Sequence, residues 1–337
     1  MDKRGEIEIQ FNWIMVLIAG SLIFVFFFGI AQFASKSANT SSLLRTSNYL
    51  DSMLAGAIVN VPTEGQKITK LTLPSKEIEF SCVRYNGISA EGADPLDIGQ
   101  KTVFAPSRIE GSQITAWALS WNLPFRADNF LLVTSPKIRY IIRGSGNFKN
   151  EIQTTFPDEI TVDEGTVQDR NNYKVRFIYV NMDPSDEDIQ PFKKYSSEDI
   201  TAISISGNSW QDVRLGFYEK QPVGVSSPKW ENKGTSSAFN KAAILAAIFS
   251  ESKNEYDCSM AKAQEKARGT AAIYAYRSEK LSEYYAKEGN TACEDIHTAA
   301  AGELKGSEMA ISSLKELYDN LLLFNTQAQS NSCELIY

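Results

Sequence analysis

At 337 residues the chain is long enough to bury one or two sizeable cores. Charged residues make up 22% and apolar residues 43%, the balance of an ordinary globular protein and not of a disordered one. A net charge of −7 without a basic stripe excludes nucleic acid as a partner.

The first element is N-terminal. No charged residue occurs from Ile9 to Ser35, a run of 27 residues. A bilayer core of ~30 Å needs about 20 apolar residues at ~1.5 Å each, so this run is long enough to cross one. Residues 1–11 read as a cytoplasmic tail and 12–34 as a transmembrane helix, with Trp13 and Phe33 at the headgroup levels. A cleaved secretory signal has a basic leader and an apolar core of only about 7–15 residues. Here Asp2, Glu6 and Glu8 accompany Lys3 and Arg4, and the core is longer, although Gly29 and Ala31 mimic a cleavage site. The segment therefore reads as a permanent signal-anchor.

Lys3 and Arg4 before the span nearly balance Lys36 and Arg45 after it, so charge does not set the orientation. The cysteines do. All four, Cys82, Cys258, Cys293 and Cys333, follow the span, and an even number on one side suits disulfides in an oxidising compartment. Asn39-Thr40-Ser41 adds a candidate glycosylation site just beyond the span. The expected topology is N-terminus in the cytoplasm and the bulk of the chain outside the cell membrane.

Residues 35–62 form an expected helical stalk, with Leu43, Leu50, Leu54, Ala57 and Ile58 at helical spacing and Pro62 at its end. From 63 to 235 the pattern turns to short alternating runs that read as a β-rich ectodomain. "EIEFSCVRY" places Ile78, Phe80 and Cys82 on one strand face, and "FLLVTSPKIRYIIRG" reads as two strands joined around Ser135-Pro136. Three more strands are expected in "YKVRFIYV", "ITAISIS" and "VRLGFYE".

Residues 236–337 switch to helix. "SAFNKAAILAAIFSES" is a short apolar helix, too short to span a membrane. A Pro-free stretch from Cys258 to Lys287 turns at Gly289-Asn290. A second helical stretch, Cys293 to Gln329, carries a heptad seam through His297, Ala300, Leu304, Leu314, Leu321 and Ala328. The economical solution is a long antiparallel hairpin, with a break near Gly302 and Gly306. In such a hairpin Cys258 meets Cys333 at one end, while Cys293 lies ~40 Å away at the tip. Cys258–Cys333 is then the expected bridge, and Cys82–Cys293 follows by elimination if the tip folds back onto the sheet.

Catalytic signatures are missing. His297 is the single histidine and sits on the seam, which excludes His-rich metal sites. No phosphate loop, dinucleotide fingerprint or nucleophile elbow is present. Ser250/Lys253 and Ser312/Lys315 have the spacing of a Ser/Lys dyad, but both sit in ordinary helix. Asp183, Ser185 and Glu187 imitate the start of a calcium loop, yet Asp188 and Lys194 stand where its glycine and closing glutamate belong. Lys137, Arg139 and Arg143 alternate as on a solvent-facing strand. Trp117 and Trp121 are candidates for stacking on a sugar ring, with core packing as the plainer reading. No cofactor or metal is expected.

Two resemblances add to this. Basic residues, Gly5, Glu6 and a long apolar run resemble an archaeal prepilin leader, which implies cleavage between Gly5 and Glu6. The fifth residue after that cut is Gln10, where such leaders carry Glu. "IEIQFNWIMVLIAG", "SWNLPF", "YDCSMAKA" and "SCELIY" together resemble a group of archaeal single-span membrane proteins to which no activity attaches, so the resemblance implies an architecture only. The expectation is an α+β protein with a transmembrane helix, a mixed-sheet ectodomain and a C-terminal helical hairpin. It would have a binding or structural role in the cell envelope. Its partners would be the lipid bilayer, through residues 12–34, and an envelope protein or a second copy. The alternatives are a pilin-like filament subunit processed after Gly5 and an enzyme with a dispersed site.

Overall fold

The computed structural model describes all residues except 1–3, 60–66, 73–76, 91–92, 112, 166–167, 171–172, 225, 308 and 311–312, and the side chains of 4–12, 39, 42, 49–51, 53–59 and 67. The chain is mixed α+β. A single helix, α1 (Arg4–Val59), runs 56 residues, about 84 Å at helical rise. Expected span and stalk are therefore one rod. Its side chains from Trp13 to Ala38 are all exposed, and burial begins at Leu43, Thr46 and Ser47. Gly5, Glu6 and Asn39 lie in α1 by backbone, but their side chains and any processing are outside the described set.

Fourteen strands build three sheets among the described residues. The first has the order β1 (Lys67–Thr72), β7 (Gln113–Asn122), β8 (Arg126–Thr134), β5 (Thr102–Phe104). Its centre is the antiparallel β7–β8 pair, with Trp117 opposite Leu132 and Leu119 opposite Phe130. Both of its faces are covered. Ile114, Ala116, Ala118, Leu131 and Val133 join Leu43 of α1 in one core, while Trp117, Trp121, Phe130 and Leu132 point into the main core. The first of these cores is closed by a small sheet, β4 (Leu96–Asp97), β3 (Gly87–Ser89), β2 (Glu77–Ser81), β6 (Arg108–Glu110). The expected strand through Cys82 stops one residue short. Ser81 caps a four-residue helix, α2 (Cys82–Tyr85), by accepting from the Arg84 N–H at 3.0 Å.

The third sheet runs β10 (Val162–Asp163), β9 (Ile138–Gly144), β11 (Lys174–Val180), β12 (Ile200–Ser206), β13 (Val213–Lys220), β14 (Trp230–Ala238). Its first four strands are parallel and the rest antiparallel. The Ser135-Pro136 junction indeed separates two strands, and these belong to different sheets. One face packs on α3 (Asn147–Thr155) and the main core; Ile189 and Phe192 cover the other. Arg139 and Arg143 are not freely solvated: Arg139 is buried on Asp163 at 2.6 Å, and the half-buried Arg143 reaches Asp188 at 3.2 Å. Paired charges on a sheet with two covered faces replace the expected wet face.

The short apolar helix is α4 (Lys241–Phe249), and every residue from Ala242 to Phe249 is buried. A helix apolar all round belongs inside, and α4 is the shared core of strands and helices. After Ser252, whose hydroxyl caps it, α5 (Lys253–Glu288) runs 36 residues and ends at Gly289, in the left-handed region at φ 73°. The second arm differs from expectation. α6 (Thr291–Gly306) packs on α5, but the chain then reverses and α7 (Leu314–Ser330) returns along α6. The expected second arm is thus two helices, α6 and α7, separated after Gly306 near the expected break, and Met309, buried at φ 54°, lies in the reversal.

That reversal re-pairs the cysteines. The bridges are Cys82–Cys258 and Cys293–Cys333, in place of Cys258–Cys333 and Cys82–Cys293. With α7 turned back, Cys333 arrives at the α5–α6 tip, where Cys293 waits. Cys258 is left to face α2. No described cysteine is free, so a maleimide should label the denatured chain only after reduction; modification before reduction would contradict these pairings.

Candidate functional site

The sequence places Lys174 and Arg176 two apart on β11, a strand buried along its whole length. Both charges therefore point inward, toward the Ser250–Ser252 joint between α4 and α5. Arg176 donates to the carbonyls of Ala247, Ile248, Ser250 and Glu251 at 2.6–3.3 Å, and to Ala202 at 3.3 Å. The Ala247, Ile248 and Ser250 carbonyls are orphan acceptors at the α4 C-terminus, where the helix dipole also favours a cation. Burial lowers the Arg176 pKa to about 10, opposed by the Glu251 carboxylate, so the guanidinium stays charged at neutral pH.

Glu251 is the anion of this cluster. Its carboxylate takes Lys174 as an ion pair and accepts from the Ser107 N–H at 2.8 Å and from the Ser107 hydroxyl. One turn on, Glu255 accepts from the Ser81 hydroxyl at 2.7 Å and the Cys82 N–H at 2.6 Å. The same α5 face continues with the Cys82–Cys258 bridge, Ser259 donating to the Val103 carbonyl at 2.9 Å, Lys262 on Asn86, and Lys266 on Asp128 at 2.8 Å. Residues 255, 258, 259, 262 and 266 fall at helical spacing on α5 and, with Glu251 just before it, form one polar seam that fastens α5 to the N-terminal strands. A cleft of about 150 Å³ opens beside it, lined by Glu77, Glu79, Arg84, Arg108 and Glu198 among others.

Chemically, the seam's carboxylates are already engaged by donors, and the arrangement holds no nucleophile–base–orienter chain. Among the described residues no group of three or more potential ligands could hold a metal. The seam does the work of attachment.

Of the residues singled out from sequence, Cys82, Cys258 and Ser250 belong to this cluster and seam, and the others lie elsewhere. Trp117 and Trp121 are fully buried, Trp117 edge-on to Phe249 and Trp121 stacked on Phe130, so neither offers a face to a sugar. The reason is α4, which covers that side of β7. Ser250 donates to the Ala246 carbonyl and Lys253 pairs with Asp257, so the two do not act together; Ser312 is outside the described residues. The acidic loop is tied down: Asp188 accepts from the Tyr179 hydroxyl and Asp186 from the Trp230 N–H, both at 2.9 Å. Lys174, Arg176 and Glu251 went unnoticed. The usable signal was two cations on one face of a strand whose neighbours are apolar on both faces.

His297 is buried on the α5–α6 seam, stacked on Tyr285 with ring centroids 5.6 Å apart, and its ring nitrogens make no hydrogen bond of normal geometry. The C-terminal tail covers it: the Glu334 N–H donates to the Tyr285 hydroxyl, and Arg277 donates to the Ile336 carbonyl. Burial lowers the imidazole's pKa, with Arg277 acting in the same sense and Glu334 against it. The folded state thus refuses a proton that the unfolded chain accepts near pH 6.5. Stability from this group is complete above that value and is lost as pH falls below it, by up to about 1.4 kcal/mol per pH unit. Urea midpoints of the detergent-solubilised chain between pH 5 and 8 should show this slope, and His297→Leu should flatten it; an unchanged slope in the variant would assign it elsewhere.

Comparison with known proteins returned no matching family model, no matching curated protein and no matching solved structure. The function must be read from the chain's own physics.

Proposed function

We propose that the protein is a single-pass membrane protein whose folded body stands outside the cytoplasm and has a structural or binding role in the cell envelope. The observation that carries this reading is the exposed apolar part of α1: Trp13, Phe24 and Phe33 are each at least 70% exposed, and no side chain from Trp13 to Ala38 is buried by the body. An apolar rod of this length is unstable in water and matches a bilayer core. Two disulfides support the extracytoplasmic placement of the body. The seam of α5 supports a mechanical role, since it converts a helix bundle and three sheets into one fastened unit. Catalysis is no part of the reading.

The test is fractionation and topology. The full-length chain should stay with membranes through a carbonate wash, and protease added to intact cells should reach the body. Release by carbonate, or protection from external protease, would overturn the reading.

A second reading, a filament subunit processed after Gly5, is favoured by the same free rod, because copies could bury one another's apolar faces. Intact mass of the mature chain separates the two: an N-terminus at Glu6 supports the filament, an N-terminus at Met1 the anchor.

A further inference from the structure

Resting on the reading of α1 as a membrane anchor, we infer that the body touches the membrane itself: the Asp94–Pro95 end of the connection into β4 lies in the lipid headgroup layer. Three observations carry it. First, the rod and the body are joined without a hinge, since α1 continues unbroken from the apolar stretch to Leu43, Thr46 and Ser47, which are buried against the body. Second, the body reaches back down the rod: Lys36 of α1 pairs with Asp94 at 3.0 Å. Third, the height is fixed. Phe33 is the last large apolar side chain before Lys36, and three residues of helix rise about 4.5 Å. A headgroup layer is roughly 5–8 Å thick on each side, the difference between a ~30 Å core and a ~40–45 Å membrane. Lys36 falls inside it. Helix side chains lean toward the N-terminus, which here is toward the bilayer, so the ammonium and the carboxylate it holds lie no higher than the Lys36 backbone.

β4, which Asp94 and Pro95 lead into, is held in place. β4 pairs with β3, Asn86 donates to Asp97 at 2.8 Å, and the Gly99 N–H donates to the same carboxylate at 2.7 Å. The β3–β4 approach needs Gly87, where an added Cβ would stand 1.9 Å from the Leu96 carbonyl oxygen. Lys36 and Asp94, 53% and 82% exposed, present one cation and one anion side by side. That pair matches a zwitterionic headgroup, whose phosphate and ammonium are its complements. The body would stand on the membrane at two points, rod and loop, and keep one orientation.

The experiment is site-directed nitroxide labelling of the full chain in phosphatidylcholine vesicles. Single cysteines replace Phe24, Ser37 or Pro95, all exposed, while the native cysteines stay paired. Depth is read from collision with oxygen against a water-soluble nickel chelate. The expected result is Phe24 in the hydrocarbon and Ser37 and Pro95 at one common headgroup depth. If Phe24 and Ser37 behave so but Pro95 collides with the chelate as freely as in bulk water, the seating is wrong and the anchor stands. If Phe24 itself is in water, the anchor reading falls, and the seating with it.

Discussion

Replacing Glu251 with alanine should destabilise the protein by about 3–5 kcal/mol, the range for breaking a buried ion pair from one side. The change removes the carboxylate that pairs with buried Lys174 and opposes the burial of Arg176 more than Glu219 does. It also strips the half-buried Ser107 N–H of its acceptor, which adds a part of the about 1–3 kcal/mol that a fully buried donor would lose. Set against the ~5–15 kcal/mol that holds a typical fold together, this is enough to leave a measurable unfolded fraction. The urea midpoint of the detergent-solubilised chain should drop with its slope unchanged.

Two companions make the cause identifiable. Lys174→Met should cost less than Glu251→Ala, because Arg176 and Ser107 still face the carboxylate. The double change Lys174→Met/Glu251→Gln should recover only part of the loss, because Arg176 keeps its carbonyl acceptors but not the carboxylate. It removes both charges, keeps an oxygen for the Ser107 N–H, and fills the lysine's volume with an apolar chain, the kind of exchange buried pairs tolerate. If the double variant were as unstable as Glu251→Ala, the effect would lie in packing and not in charge.

The same cluster marks the limit of what the sequence makes legible. Local features read well: the uncharged run, the strands around Ser135-Pro136, the short apolar helix α4, and the stop at Gly289 all follow from composition, periodicity and caps. Tertiary facts do not. Whether Trp117 meets solvent depends on where α4 lies, and nothing in "WALSWNLPF" states that. Whether Cys333 reaches Cys258 or Cys293 depends on a reversal between Gly306 and Leu314. The weak helix there is visible as Gly302 and Gly306, but the direction taken after a break is set by what Met309 can bury. Lys174 and Arg176 are a third case. A charged pair in a strand looks like a solvent face until the strand proves to be central.

Removing the two bridges separately should produce different losses in different places. Cys82–Cys258 closes 176 residues and Cys293–Cys333 closes 40. Chain entropy alone gives about 5 kcal/mol for the first and about 4 kcal/mol for the second. Cys82→Ala/Cys258→Ala should therefore melt lower, though Glu255 and Ser259 still hold α5 to the strands and soften the fall. Cys293→Ala/Cys333→Ala acts on the tail that seals His297. With the tail loosened, water reaches the imidazole, its pKa returns toward the ordinary value, and the loss of stability below pH 6.5 flattens. The first variant should keep that acid slope, because its bridge lies at the other end of α5. Fast hydrogen exchange at the Glu334 and Ile336 amides in the second variant alone would tie the slope to the seal. An acid slope that survives there would mean that the contacts of Ile336 and Arg277 hold the tail without the bridge.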